Sequence, residues 1–201
     1  MTDTLAPRPD TPLILASKSP RRRHLLRQIG LQFTVHPTRI AEETIHQQNF
    51  TPAELAASLA GMKAEAAAAR YERALVIGAD TIVTLDNTIL GKPADAAEAK
   101  AILRRLSGRR HQVITGVVLI QKPALDHYQF TVTTEVQFRD LTDDEIERYI
   151  STGEPMDKAG AYGIQGHGAL LVREIHGDYF NVVGFPITAF YERLQEIISG
   201  N

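Results

Sequence analysis

The segment that most constrains this chain is residues 13–30, LILASKSPRRRHLLRQIG. The apolar run Leu13-Ile14-Leu15-Ala16 reads as a buried strand. Ser19-Pro20 then opens a helix, with serine suited to the N-cap and proline to the first helical position. Arg21 and Arg22 fall in the first turn, where the partial positive charge of the helix end disfavours cations. Arginines placed against that preference suggest an arriving anion. Free backbone N–H groups, the hydroxyls of Ser17 and Ser19 and a guanidinium fork together make a phosphate site. The alternative is a helix whose arginines face solvent or carboxylates. Successive helical residues are about 100° apart, so Arg21, Arg22 and Arg23 cannot all face one ligand.

Downstream, residues 31–36 predict a short strand, and residues 38–50 a polar loop carrying Glu42 and Glu43. Thr51-Pro52-Ala53-Glu54 is a capping box, and the helix it starts shows Leu55, Leu59, Met62 and Ala66 on one face. Residues 75–85 predict a strand with Asp80 in its middle. Asp95 caps another helix, which buries Ala99, Ile102, Leu103 and Leu106 and stops at Gly108. Residues 112–121 and 128–138 predict a hairpin, and Thr142 caps a helix with Ile146, Tyr149 and Ile150 inward. Residues 154–168 are Gly-rich and irregular. Strands are expected near 170–174 and 179–183, then a helix after Pro186 with Ile187, Phe190, Leu194 and Ile197 on one face. Alternating helices and strands with an antiparallel hairpin predict an α/β fold, a mixed twisted sheet with flanking helices. Residues 13–201 read as one domain, and residues 1–12, with prolines at 7, 9 and 12, as a loose leader.

A chain of 201 residues that is 43% hydrophobic can bury one sizeable core. With 22 basic and 24 acidic residues it lacks the basic surplus of a general nucleic-acid binder, but a local cationic cluster can still hold a small polyanion. Cysteine is absent, which excludes disulfides and thiolate chemistry and fits a reducing compartment. No signal-peptide core and no apolar run of about 20 residues is present, so a cytoplasmic protein free of the membrane is expected.

Several residues carry candidate chemistry. Asp80 sits inside the apolar run VIGADTIV, where a charge is costly unless paired or metal-bound. Gly78 and Ala79 leave room there for a ligand beside the backbone; the alternative is a carboxylate bonded within the core. Lys63 lies four residues after Leu59, at the edge of a buried face, where its stem packs and its ammonium can reach out. By itself it reads as an ordinary surface lysine. Lys92 stands in Gly91-Lys92-Pro93, which fixes the chain just before a helix, but the segment is no P-loop. The seven histidines show no HExxH or HxH spacing, so no zinc site is indicated.

These motifs resemble the Maf family of nucleoside triphosphate pyrophosphatases. The resemblance is carried by SKSPRR at 17–22, GADT at 78–81, GKP at 91–93, TGV at 115–117, EPMDKAGAYGIQG at 154–166 and GDYFNVVGFP at 177–186, in family order. It implies two lobes around a cleft, an architecture shared with inosine-triphosphatase-like enzymes. It implies Asp80 as the catalytic proton acceptor, Lys63, Lys92 and Glu42 as catalytic partners, and Ser17, Ser19, Arg21, Arg22, Thr81, Lys158 and Gln165 as substrate-binding residues. Counting from Gly30 places Glu42 at the motif glutamate. Glu42 and Asp80 are then the expected ligands of a divalent cation, Mg²⁺ or Mn²⁺, which prefers hard oxygens. The DKAGAYGIQG wording matches the dTTP/UTP branch; the 7-methyl-GTP branch carries cysteine for the lysine and glutamate for the glutamine. The resemblance therefore implies hydrolysis of dTTP and UTP to a nucleoside monophosphate and pyrophosphate. The alternatives are a pyrophosphatase for methylated or other purine triphosphates, or a regulatory nucleotide-binding protein acting on septum formation. A homodimer is compatible with the family.

Overall fold

The computed structural model describes residues 9–38, 40 and 50–200. The strands are β1 (Leu13–Leu15), β2 (Thr34–Val35), β3 (Ala74–Leu85), β4 (Thr88–Leu90), β5 (Arg110–Lys122), β6 (Asp126–Phe138) and β7 (Val172–His176). The helices are α1 (Pro20–Gln28), α2 (Pro52–Ala68), α3 (Ala96–Leu106), α4 (Asp143–Ser151), α5 (Tyr179–Val183) and α6 (Ile187–Ser199). One sheet runs β2-β1-β3-β5-β6-β7, with β4 also paired to β3. It is mixed, as expected: β1 is parallel to both β2 and β3, whereas β3–β4 and β6–β7 are antiparallel.

The chain divides into two compact units. The first holds residues 1–80, 115–132 and 184–201, and the second residues 81–114 and 133–183. Strands β3, β5 and β6 contribute to both. The expected leader, residues 1–12, lies mostly outside the described residues, although the Pro12 carbonyl accepts the Leu75 N–H at 2.9 Å.

In the first unit, α2 starts as its capping box requires, with Glu54 N–H on Thr51 Oγ1 and Thr51 N–H on Glu54 Oε2. Its buried face differs from the expected one. Leu55 and Leu59 are buried, but Ala66 is exposed and Met62 only half-buried, while Ala56, Ala60, Ala64 and Ala67 are fully buried. The reason is close packing on two glycines. A Cβ at Gly78 of β3 would come within 2.1 Å of the Ala60 carbonyl oxygen. One at Gly116 of β5 would come within 2.5 Å of the backbone at Ala56 and Ala57. The helix backbone itself lies on these strands, so its contact face must be alanine. Ile14, Ala16, Val76, Val118 and Ile120 complete this core, with Tyr71 at its edge.

In the second unit, α3 buries its expected apolar face, α4 buries Ile146 and Tyr149 but leaves Ile150 half-buried, and the two helices pack on each other. Asp95 caps α3 and Thr142 caps α4 through the predicted bonds, and Gly108 ends α3 with a positive φ of 68°. His111, Phe138 and Tyr162 form a buried edge-to-face cluster with ring centroids 4.8–5.4 Å apart. Residues 154–171 form three short 3₁₀ turns, as irregular as the glycines suggest.

Two elements depart from expectation. Residues 31–36 yield only the two-residue β2, because its partner β1 is itself three residues long. Residues 179–183 form helix α5, not a strand. The Asp178 carboxylate accepts the Phe180 N–H at 2.7 Å, and the Asp178 carbonyl accepts from Val182. That local cap outweighs the β preference of Tyr, Phe and Val. Buried Asn181 then donates to the Val113 carbonyl at 2.9 Å and to Thr134 Oγ1 at 3.0 Å.

Candidate active site

In the first unit, the loop after β1 and the start of α1 are tied together by their own side chains. Ser19 Oγ accepts the Arg22 N–H as the N-cap, and Ser17 Oγ accepts the Ser19 N–H at 3.2 Å. Each hydroxyl keeps its proton to donate. Arg22 turns inward and is buried. Its Nε donates to the Gly184 carbonyl at 2.9 Å, and one terminal nitrogen donates to the Ala79 carbonyl at 2.9 Å and to Ser17 Oγ at 3.2 Å. Burial lowers the Arg22 pKa most, the Asp80 charge opposes that, and Arg21 adds to it. Arg21 and Arg23 are half-buried, and Arg23 Nε has no partner among the described residues.

Asp80 closes the first unit on β3. Lys63 Nζ donates to its Oδ1 at 2.6 Å, and both side chains are 16% exposed. Gly78 has a different role from the expected one. The space beside it is filled by the α2 backbone, leaving no room for a ligand there. That close approach brings Lys63, on the same helix, to Asp80 two residues further along β3. The structure thus gathers Ser17, Ser19, Arg22, Lys63 and Asp80 within one unit. Glu42 lies outside the described residues.

The second unit holds the other motif residues. Thr81 is half-buried on β3, and Lys92 is exposed. Gly91, next to Lys92, is bonded to the Gly-rich segment: its carbonyl accepts the Gly160 N–H at 3.1 Å. Gly160, at φ 71°, presses on Val83, with an added Cβ meeting Val83 Cγ1 at 2.8 Å. Lys158 donates to the Glu154 carbonyl at 2.7 Å and to Asp157 Oδ1 at 2.6 Å. Gln165 is exposed at the turn.

Two residues outside the expected site set, Tyr149 and Glu154, organise this turn. The Glu154 carboxylate accepts the Tyr149 hydroxyl at 2.9 Å and the N–H groups of His167 at 2.8 Å and Gly168 at 3.1 Å. Burial opposes its charge, but the Gly168 and His167 N–H groups, the Tyr149 hydroxyl and Lys158 outweigh that and hold its pKa below the ordinary value. The only signal in the sequence was the position of Glu154 at the head of the EPMDK block.

The family model for Maf-like protein matches residues 12–197. The chain belongs to the Maf family. Relatives of this family member include a protein of Symbiobacterium thermophilum named dTTP/UTP pyrophosphatase, 52% identical over 186 residues, which are 92% of this chain and 93% of that one. A protein of Moorella thermoacetica with the same name is 52% identical over 182 residues, 90% of this chain and 93% of that one. Among solved structures, a HAM1 protein from Coxiella burnetii aligns with a TM-score of 0.53 at 17% identity, covering 92% of this chain and 99% of that chain. That likeness concerns the fold. No helix among the described residues is long and apolar enough to cross a membrane.

Proposed function

We propose that this Maf protein is a metal-dependent nucleoside triphosphate pyrophosphatase that hydrolyses dTTP and UTP between the α- and β-phosphates. The products are the nucleoside monophosphate and pyrophosphate. The observation that carries this reading is the Lys63–Asp80 pair at 2.6 Å, with the buried Arg22 cation beside it. The relatives that bear the dTTP/UTP pyrophosphatase name support the substrate class.

In this reading Asp80 orients the attacking water and takes its proton. Lys63 holds the carboxylate in place, and with Arg21 and Lys92 it meets phosphate charge. The Ser17 and Ser19 hydroxyls offer two further donors, and Arg22 fixes the backbone of Ala79, the neighbour of Asp80. Gln165 reads the base: O4 and N3–H of uracil or thymine form an acceptor–donor pair that one glutamine amide complements.

The donor set fits a Mg²⁺-type cation. Among the described residues no three His, Asp or Glu side chains gather, as a protein-built zinc site would need. A half-buried single carboxylate completed by substrate oxygens suits Mg²⁺ or Mn²⁺, and Asp80 would hold it, with Glu42 as the proposed second ligand. When bound, the cation neutralises charge developing on the phosphoryl oxygens.

The test is product release from a panel of nucleoside triphosphates with Mg²⁺ or Mn²⁺. Pyrophosphate should appear first, fastest from dTTP and UTP. Nucleoside diphosphate with orthophosphate would overturn the reaction class, and faster turnover of purine triphosphates would overturn the substrate.

A further inference from the structure

We propose that Tyr149 and Glu154 are positioning residues that set base selectivity through Gln165, an inference that rests on Gln165 reading the base. Gln165 is exposed. The chain on both sides of it is clamped. Two residues before it, the Gly163 N–H donates to Tyr149 Oη at 3.1 Å. Two and three residues after it, the N–H groups of His167 and Gly168 donate to the two Glu154 oxygens. The clamp halves are joined, because Tyr149 donates its own proton to Glu154 Oε1 at 2.9 Å. One phenol and one carboxylate thus fix the turn at three backbone points around the amide.

The glycines of the turn are shaped to this clamp. A Cβ at Gly166 would lie 2.2 Å from Glu154 Oε2, and one at Gly168 would lie 2.7 Å from Tyr149 Oη. A Cβ at Gly163 would meet Lys158 Cε at 2.6 Å and Glu154 Oε1 at 3.2 Å. A side chain at Gly166 would strike the Glu154 carboxylate, and one at Gly168 would strike the Gly163 carbonyl at 2.6 Å, so both positions are shaped to the clamp. A turn held this way presents Gln165 on a rigid frame. An amide that reads one acceptor–donor pair needs such a frame, since discrimination is lost when donors and acceptors can drift from register.

The experiment compares kcat/KM for UTP and GTP, with Mg²⁺, in the full chain and in Tyr149→Phe, Glu154→Gln, Gln165→Ala and Tyr149→Phe/Gln165→Ala. Tyr149→Phe keeps the ring and removes the bonds to Gly163 and Glu154. Glu154→Gln keeps one acceptor oxygen and turns an amide donor toward a backbone N–H. Each is expected to lower the UTP-to-GTP ratio about tenfold, the effect of one lost buried hydrogen bond. In the Gln165→Ala background, Tyr149→Phe should leave the ratio unchanged. Equal losses on both nucleotides, with the ratio kept in the Tyr149 and Glu154 variants but lowered by Gln165→Ala, would overturn this inference and leave base reading by Gln165 standing. A further fall in the double variant would also overturn it. An unchanged ratio in Gln165→Ala overturns base reading itself, and the inference with it. Should Tyr149→Phe fail to fold, Glu154→Gln gives the same reading alone and paired with Gln165→Ala.

Discussion

Lys63 Nζ lies 2.6 Å from Asp80 Oδ1, joining α2 to the middle of β3. Asn at position 80 preserves this acceptor and the shape of the side chain but removes the base. Asp80→Asn should therefore keep its circular dichroism spectrum and lose at least about 10²–10⁴-fold in turnover. A folded variant with substantial pyrophosphate release would remove Asp80 from that role.

The arginines should separate by assay. Arg21→Ala should slow hydrolysis of every accepted triphosphate far more than Arg23→Ala, since only Arg21 lies in the SPRR motif. Arg22→Lys should show first in melting experiments. An ammonium does not reproduce the fork that holds the Ala79 and Gly184 carbonyls, and an unsatisfied buried carbonyl costs about 1–3 kcal/mol. Equal, small rate losses at Arg21 and Arg23 would take Arg21 out of phosphate binding.

Glycine substitutions along the α2 contact should have opposite signs. Gly61 lies inside α2, and an added Cβ would meet only Val118 Cγ2 at an ordinary 3.9 Å. Gly61→Ala should raise stability by about 0.5–1 kcal/mol through helix propensity. Gly78→Ala should lower it by about 1–3 kcal/mol or more, because the helix backbone must move. Denaturant midpoints that shift in the same direction for both would contradict this packing.

His111 predicts a pH dependence of stability. Burial pushes its pKa down to about 4, against about 6.5 when unfolded. Between those values the unfolded chain binds more protons, so this contribution is complete above about pH 6.5 and declines as pH falls toward 4. The loss is on the order of 3 kcal/mol over that window. Urea unfolding of wild type and His111→Gln from pH 4 to 7 should show the steeper slope in the wild type. Parallel slopes would count against it.

Much of this was legible because capping chemistry is local. Ser19, Thr51, Asp95 and Thr142 mark their helices within a few residues, and each makes the bond its position predicts. Asp80 was legible because a charge inside an apolar strand demands a partner, which proved to be Lys63. What was not legible depends on distant partners. The face of α2 followed the positions of Gly78 and Gly116, which no periodicity within the helix reveals. Helix α5 looked like a strand because Tyr, Phe and Val favour one, until the Asp178 cap is seen. Tyr149 was legible as a core residue, but the use of its hydroxyl depended on where Gly163 arrives.

The bond from Arg22 to the Gly184 carbonyl spans 162 residues. On the ribosome, α1 emerges among the first segments, and this acceptor for its inward guanidinium comes only after another 162 residues have been added. Until then the guanidinium can hold the Ser17 hydroxyl and the Ala79 carbonyl, but its Nε lacks this acceptor. Nascent chains halted before Gly184 should therefore lack this bond, so this corner of the site is completed late in synthesis however early its helix forms.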